Sequence, residues 1–141
     1  MKIFLSTPIS CFKNVEELYI YKKMVMSLVS ALKREHSVCS EIENITDETD
    51  YDSPEKSITT DLDSISKCDI FILHYPKPMP TSALIELGFA IAFNKRIIII
   101  TPDTKMLPYL SLGVPMFCNN SSIIVSDKFN TETIAKIIST I

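Results

Sequence analysis

Two short β-branched apolar runs with an apolar helix between them constrain this chain more than any other feature. Cys68 to Tyr75 reads Cys-Asp-Ile-Phe-Ile-Leu-His-Tyr, a Pro-rich turn follows, Thr81 to Arg96 has helical character, and Ile97 to Pro102 is a second run. Such runs suit strands buried on both faces of a parallel sheet. From Pro78 to Asn94 the only charged residue is Glu86, in the first turn of the helix. A capping box puts Glu three residues after a Ser or Thr cap. That position is Leu84 counted from Thr81 and Ile85 counted from Ser82, so Glu86 is not the box partner, although a looser helix-dipole role remains open. Leu84, Ile85, Leu87 and Phe89 predict a largely buried helix, where a carboxylate is costly unless it is partnered or lines a cavity. Glu86 is therefore the first candidate for function.

The remaining segments alternate in the same way. Lys2 to Ser6 is a short strand entering the hydroxyl-rich loop Ser6-Thr7-Pro8-Ile9-Ser10. From about Asn14, a fair cap, to Glu35, the residues Val15, Leu18, Val25, Leu28, Val29 and Leu32 recur at helical spacing. Tyr19, Tyr21, Met24 and Met26 lie partly off that stripe, as core margin or as a subunit contact. Ser37 to Ile42 fits a second strand. Glu43 to Glu55 is an acidic loop, a solvated surface or a lid. Pro54 opens a helix through Lys67 with Ile58, Leu62 and Ile65 facing inward. Thr104 to Gly113 reads as a short helix or turn, Ser122 to Val125 as a fifth strand, and Thr131 to Ile141 as a final helix. The whole of 1–141 is expected to form a single domain: a three-layer α/β/α sandwich around a five-stranded parallel sheet in the flavodoxin-like order 2-1-3-4-5.

Composition removes several function classes. A net charge of −3 without a Lys/Arg cluster gives no footprint for nucleic acid. No apolar run approaches the roughly 20 residues of a membrane span, and Met1 to Ser6 turns polar too soon for a signal peptide, so a cytoplasmic location is expected. Cys11, Cys39, Cys68 and Cys118 are widely spaced without His at ligand spacing, which predicts free thiols and no metal. With only Gly88 and Gly113 in the chain, neither G-x-G-x-x-G nor a P-loop can be written.

In a sheet of this order, ligands bind beyond the carboxyl ends of the strands, where the order reverses between strands one and three. The segments meeting there are Ser6–Ser10 and His74–Glu86. Thr81 and Ser82 start the helix, so they serve as ordinary caps or face an anion such as phosphate. Ser6, Thr7 and Ser10 offer further donors. His74 ends its strand as an acid–base candidate or a structural histidine. Asp61 reads as a solvated helix residue. A single carboxylate among hydroxyl-rich loops, with no metal and no cofactor, suits glycosyl transfer, with Glu as nucleophile at an anomeric carbon or as stabiliser of the oxocarbenium-like transition state.

The segment Glu86-Leu87-Gly88-Phe89-Ala90-Ile91-Ala92-Phe93-Asn94-Lys95-Arg96, preceded by Asp61, Cys68-Asp69 and a Pro-Ser/Thr turn, resembles the nucleoside 2-deoxyribosyltransferase superfamily. Within it, the run is most similar to the 2′-deoxynucleoside 5′-phosphate N-hydrolase branch. The resemblance implies Glu86 as catalytic nucleophile and Asp61 orienting the sugar or the Glu. It places Ile9 and Ser10 along the nucleotide, Thr81 or Ser82 on the 5′-phosphate, and Ser111 reaching in from a neighbouring subunit of a homodimer or larger oligomer. The substrate would be a small nucleoside or nucleotide. Phe4 stands where the branch has Tyr, the first loop lacks the branch's glycines, and the turn before Glu86 is one residue longer. A base-exchanging deoxyribosyltransferase, a TIR-like NAD-cleaving domain and a non-catalytic nucleotide-binding protein are the alternatives.

Overall fold

The computed structural model describes residues 1–10 and 12–141, with Glu48 described by its backbone alone. The reading of Cys11 as a free thiol lies outside the described residues. Five parallel strands, β1 (Lys2–Ser6), β2 (Ser37–Cys39), β3 (Ile70–His74), β4 (Arg96–Thr101) and β5 (Ser122–Val125), form one sheet in the order β2-β1-β3-β4-β5. Register follows Phe4 against Cys39 on one side and Phe71 on the other, and Ile72 against Ile98. The expected α/β/α sandwich and its strand order are therefore observed.

Alternation along the strands sorts the core into two layers. Ile3, Leu5, Ile70, Ile72, Ile98 and Ile100 face α1 (Val15–Leu32) and α5 (Thr131–Thr140). Phe4, Phe71, Leu73, Ile97 and Ile99 face α2 (Pro54–Lys67), α3 (Ala83–Ala92) and the short α4 (Val114–Phe117). The Phe4 and Phe71 rings stack with centroids 5.8 Å apart. Asn14, Ser53 and Asn130 cap α1, α2 and α5 by accepting from the backbone N–H three residues on. At the other ends, Lys95 Nζ donates to the carbonyls of Ser66 and Cys68 in the last turn and C-cap of α2, and the Arg96 guanidinium donates to those of Thr140 and Ile141. These long cations satisfy carbonyls that a helix terminus leaves without partners.

Several local expectations are corrected. The second strand ends at Cys39, and Glu41–Glu43 form a 3-10 turn instead. The expected short helix or turn from Thr104 to Gly113 is present as two 3-10 turns, Thr104–Met106 and Tyr109–Gly113. Val15 and Ile58 are exposed, whereas Tyr21 joins the α1 core face and Asp61 shares the buried face of α2 with Ile65. Tyr21 is recruited because its hydroxyl meets His74 Nδ1 at 2.7 Å, giving a buried polar tip a partner. The helix α3 is not buried all round: Leu87 and Ala90 are, but Ile85 and Phe93 are exposed. Replacing Phe71, fully buried and stacked on Phe4, with Ala should cost about 3–5 kcal/mol in a urea unfolding experiment; a loss below about 1 kcal/mol would contradict this packing.

Candidate active site

Ser6 is the last residue of β1 and follows Phe4 by two, so its side chain shares the α2/α3 side of the sheet. Glu86, in the first turn of α3, is buried there with Asp61 from α2. Asp61 and Ile65 are one helical turn apart, so α2 lays its apolar contact over the sheet and its carboxylate beyond it. Burial raises the Glu86 carboxyl to about 7, helped by the negative charge of Asp61 and opposed by the nearby Ser6 hydroxyl. The Ser6 hydroxyl lies close enough to favour the carboxylate, yet it makes no hydrogen bond of normal geometry. It and Thr7 Oγ1 are buried polar atoms without partners, as is Asp61 Oδ1. Buried polar atoms without full partners are uncommon in a core, and they single out this end of the sheet as the candidate site.

A third carboxyl, Glu41, completes the group. It is half-buried in the 3-10 turn after β2, within hydrogen-bonding reach of Asp61. Burial, that bond, and the charges of Asp61, Glu86 and Asp52 push Glu41 up to about 8. Asp61 is also raised, by burial, while its bond with Glu41 pulls the other way. Sequence reasoning missed Glu41 because it assigned the residue to a strand running to Ile42. Its only signal was an acid next to the carboxyl end of a strand beside the reversal point.

The other expected residues divide. Thr81 Oγ1 accepts from the Ala83 N–H at 3.3 Å, whereas Ser82, the N-cap of α3, makes no side-chain cap bond and is exposed. Tyr75 Oη receives the Met79 N–H and donates to the Met79 carbonyl, bracing the turn that leads into α3. Ile9 and Ser10 line a cavity of about 270 Å³ with Phe12, Asp47 and Tyr51. Neither Glu86 nor Asp61 lines that cavity, so it adjoins the first loop rather than enclosing the carboxyls. Tyr51 Oη donates to the Ile9 carbonyl at 3.3 Å, so the acidic segment touches the first loop. His74 points to the opposite layer, against Tyr21 and Phe129, and burial lowers it to about 3. It is therefore neutral and outside the carboxyl group. Ser111 is buried within its own 3-10 turn.

The chain matches no family model and no curated protein. Solved structures do resemble it. The CMP N-glycosidase BcmB of Clostridium botulinum is 23% identical, with 99% of each chain covered and a TM-score of 0.73. The solution structure of BlsM is 17% identical, covers 99% of this chain and 88% of its own, and has a TM-score of 0.76. A 2-deoxyribosyltransferase from Leishmania mexicana is 16% identical over 98% and 97%, with a TM-score of 0.58. At these identities the likeness establishes the fold.

The raised Glu86 carboxyl has a consequence for stability. The folded chain keeps this proton above the ordinary value of 4.5, so stability falls as pH rises from there through about 7. Glu86→Gln removes that penalty. By urea unfolding, the variant should exceed wild type by roughly 1–3 kcal/mol near pH 8 and by almost nothing near pH 4. A pH-independent difference would show that Glu86 is not held in a desolvated site.

Proposed function

We propose that this chain belongs to the nucleoside 2-deoxyribosyltransferase superfamily and cleaves the base–sugar bond of (deoxy)nucleoside 5′-monophosphates. The observation that carries this reading is the buried Glu86 beside Asp61 and the unpartnered Ser6 hydroxyl, at the point where strand order reverses. The fold likeness to a CMP N-glycosidase supports it. In the first step Glu86 attacks C1′ as the base departs; in the second, water attacks the glycosyl ester and releases the sugar phosphate. Desolvation strengthens the carboxylate as a nucleophile once substrate closes the site. The N-terminus of α3, with Thr81 and the exposed Ser82 hydroxyl, is the place for the 5′-phosphate. Ile9 and Ser10 would lie along the nucleotide from the first loop.

A homodimer fits the surface. The outward side of α3 carries exposed Ile85 and Phe93, and Tyr109, Leu110, Met116 and Phe117 are exposed in the same layer. A helix apolar on all sides is normally covered, and large exposed apolar patches mark interfaces. The exposed apolar residues favour α3 and the 109–117 segment for that contact over the outer side of α1, where Tyr19 is exposed but Tyr21 is core. Free Cys39, Cys68 and Cys118 fit the reducing cytoplasm. A deoxyribosyltransferase remains the second reading, favoured by the Leishmania likeness.

Product analysis on dCMP, dGMP and the matching nucleosides, with and without a second base, tests the assignment. Wild type should release free base and sugar phosphate, and Glu86→Ala should lose about a hundredfold or more in kcat/KM. Base exchange on unphosphorylated nucleosides would make it a transferase. Ligand-induced thermal shifts without turnover would make it a binding protein. Sedimentation should give a dimer that Phe117→Asp converts to monomer; a monomeric wild type would remove the assembly.

A further inference from the structure

We propose that Glu41 and Asp61 hold one proton between them and that this proton goes to the departing base, Glu41 acting through Asp61 as its proton store and positioning residue. The inference rests on the glycosidase reading above and adds a residue and a step to it.

The geometry comes first. Asp61 is buried and its Oδ1 meets no N–H or O–H among the described residues, while the Glu41 carboxyl lies within hydrogen-bonding reach. Two carboxyls can bond only if one of them carries a proton, because ionised oxygens are acceptors alone. The backbone on either side of Glu41 is braced. Lys22 Nζ donates to the carbonyls of Glu43 and Ile45 at 2.8 and 2.9 Å, and Ser40 Oγ donates to the Leu5 carbonyl at 3.2 Å. Lys33 pairs with the Glu43 carboxylate. Both lysines are engaged by the backbone and by Glu43. The charged groups acting on Glu41 are instead the acids Asp61 of α2, Glu86 of α3 and Asp52 of the intervening loop. Cys39, at the end of β2, adds a thiol that is itself raised by burial. A half-buried carboxyl among acids keeps its proton near neutral pH, and the elevated Glu41 agrees.

The chemistry balances. Glu86 forms the O–C1′ bond, the C1′–N bond breaks, its electron pair stays on the base nitrogen, and the proton of the Glu41–Asp61 pair neutralises the base. The pair is left with both carboxyls ionised. Water then replaces Glu86 at C1′ and its proton returns to the pair, restoring the starting state. Glu86 must be ionised and the pair protonated, two conditions that overlap in a narrow band around neutral pH.

Two measurements test this. Carbon-13 carboxyl NMR of the wild-type chain, titrated without substrate, should show one Glu41–Asp61 proton retained past about pH 7 and lost from the spectrum in Glu41→Gln. If both groups ionise below about pH 5.5, the proposal is overturned whatever the enzyme does. The second uses leaving groups. Glu41→Gln should lose about a hundredfold in kcat/KM on dGMP, together with the alkaline limb of the pH profile. On the 7-methylguanine analogue, whose cationic base departs without a proton, the loss should stay below about tenfold. Equal losses on both substrates would reduce Glu41 to a structural role and overturn the proposal. Wild type inert on every nucleotide would sink the glycosidase reading itself, and the donor role with it, while the NMR titration still decides whether the pair shares a proton.

Discussion

Strand β3 is paired on both edges and buried on both faces, and the rest of the molecule follows from that constraint. A strand in that position offers water nothing, so every side chain from Ile70 to His74 must be covered. Helices are therefore needed on both sides, and parallel pairing forces each crossover to be long enough to contain one. Because the chain turns to opposite sides from β1 and β3, the strand order reverses between them, the place where sheets of this kind bind ligands. Ser6 and the turn before α3 border it.

Burial at that end of the sheet explains the electrostatics. Glu86, Asp61 and Glu41 come from three different segments, and each is raised mainly by loss of water. Like charges then reinforce the effect, since ionising one acid makes the next less acidic. A core designed only for stability would put apolar groups there. Retaining three acids costs stability as pH rises and leaves carboxyls that change charge closer to neutrality than ordinary ones do. On the other side of the same sheet, His74 shows the contrasting outcome: equally buried, but satisfied by Tyr21 and enclosed by Phe129, it is neutral and part of the core.

Much of this was legible in the chain, and the failures share a cause. Apolar runs such as Ile70–Leu73 and Ile97–Ile100 announce doubly buried strands because no other common element wants β-branched residues in so short a block. Glu86 was legible because an acid in an apolar helix breaks the pattern around it. Ile58 misled because periodicity identifies a face without saying how far the sheet extends beneath it; in the structure Asp61 is buried and Ile58 exposed. Apolar α3 misled similarly, since its character predicts burial but not whether this chain or another copy provides it.

By itself the sequence determined the alternation of strands and helices, the parallel sheet, and the presence of one acid too costly to be accidental, because those depend on local composition and period. Only the tertiary structure decided that Glu41 joins Asp61 and Glu86, that His74 faces away from them, and that the exposed apolar surface lies on α3 and the 109–117 segment. Those outcomes depend on which elements meet across long stretches of chain, and on how much water is left between them. Neither is encoded in the neighbourhood of any one residue.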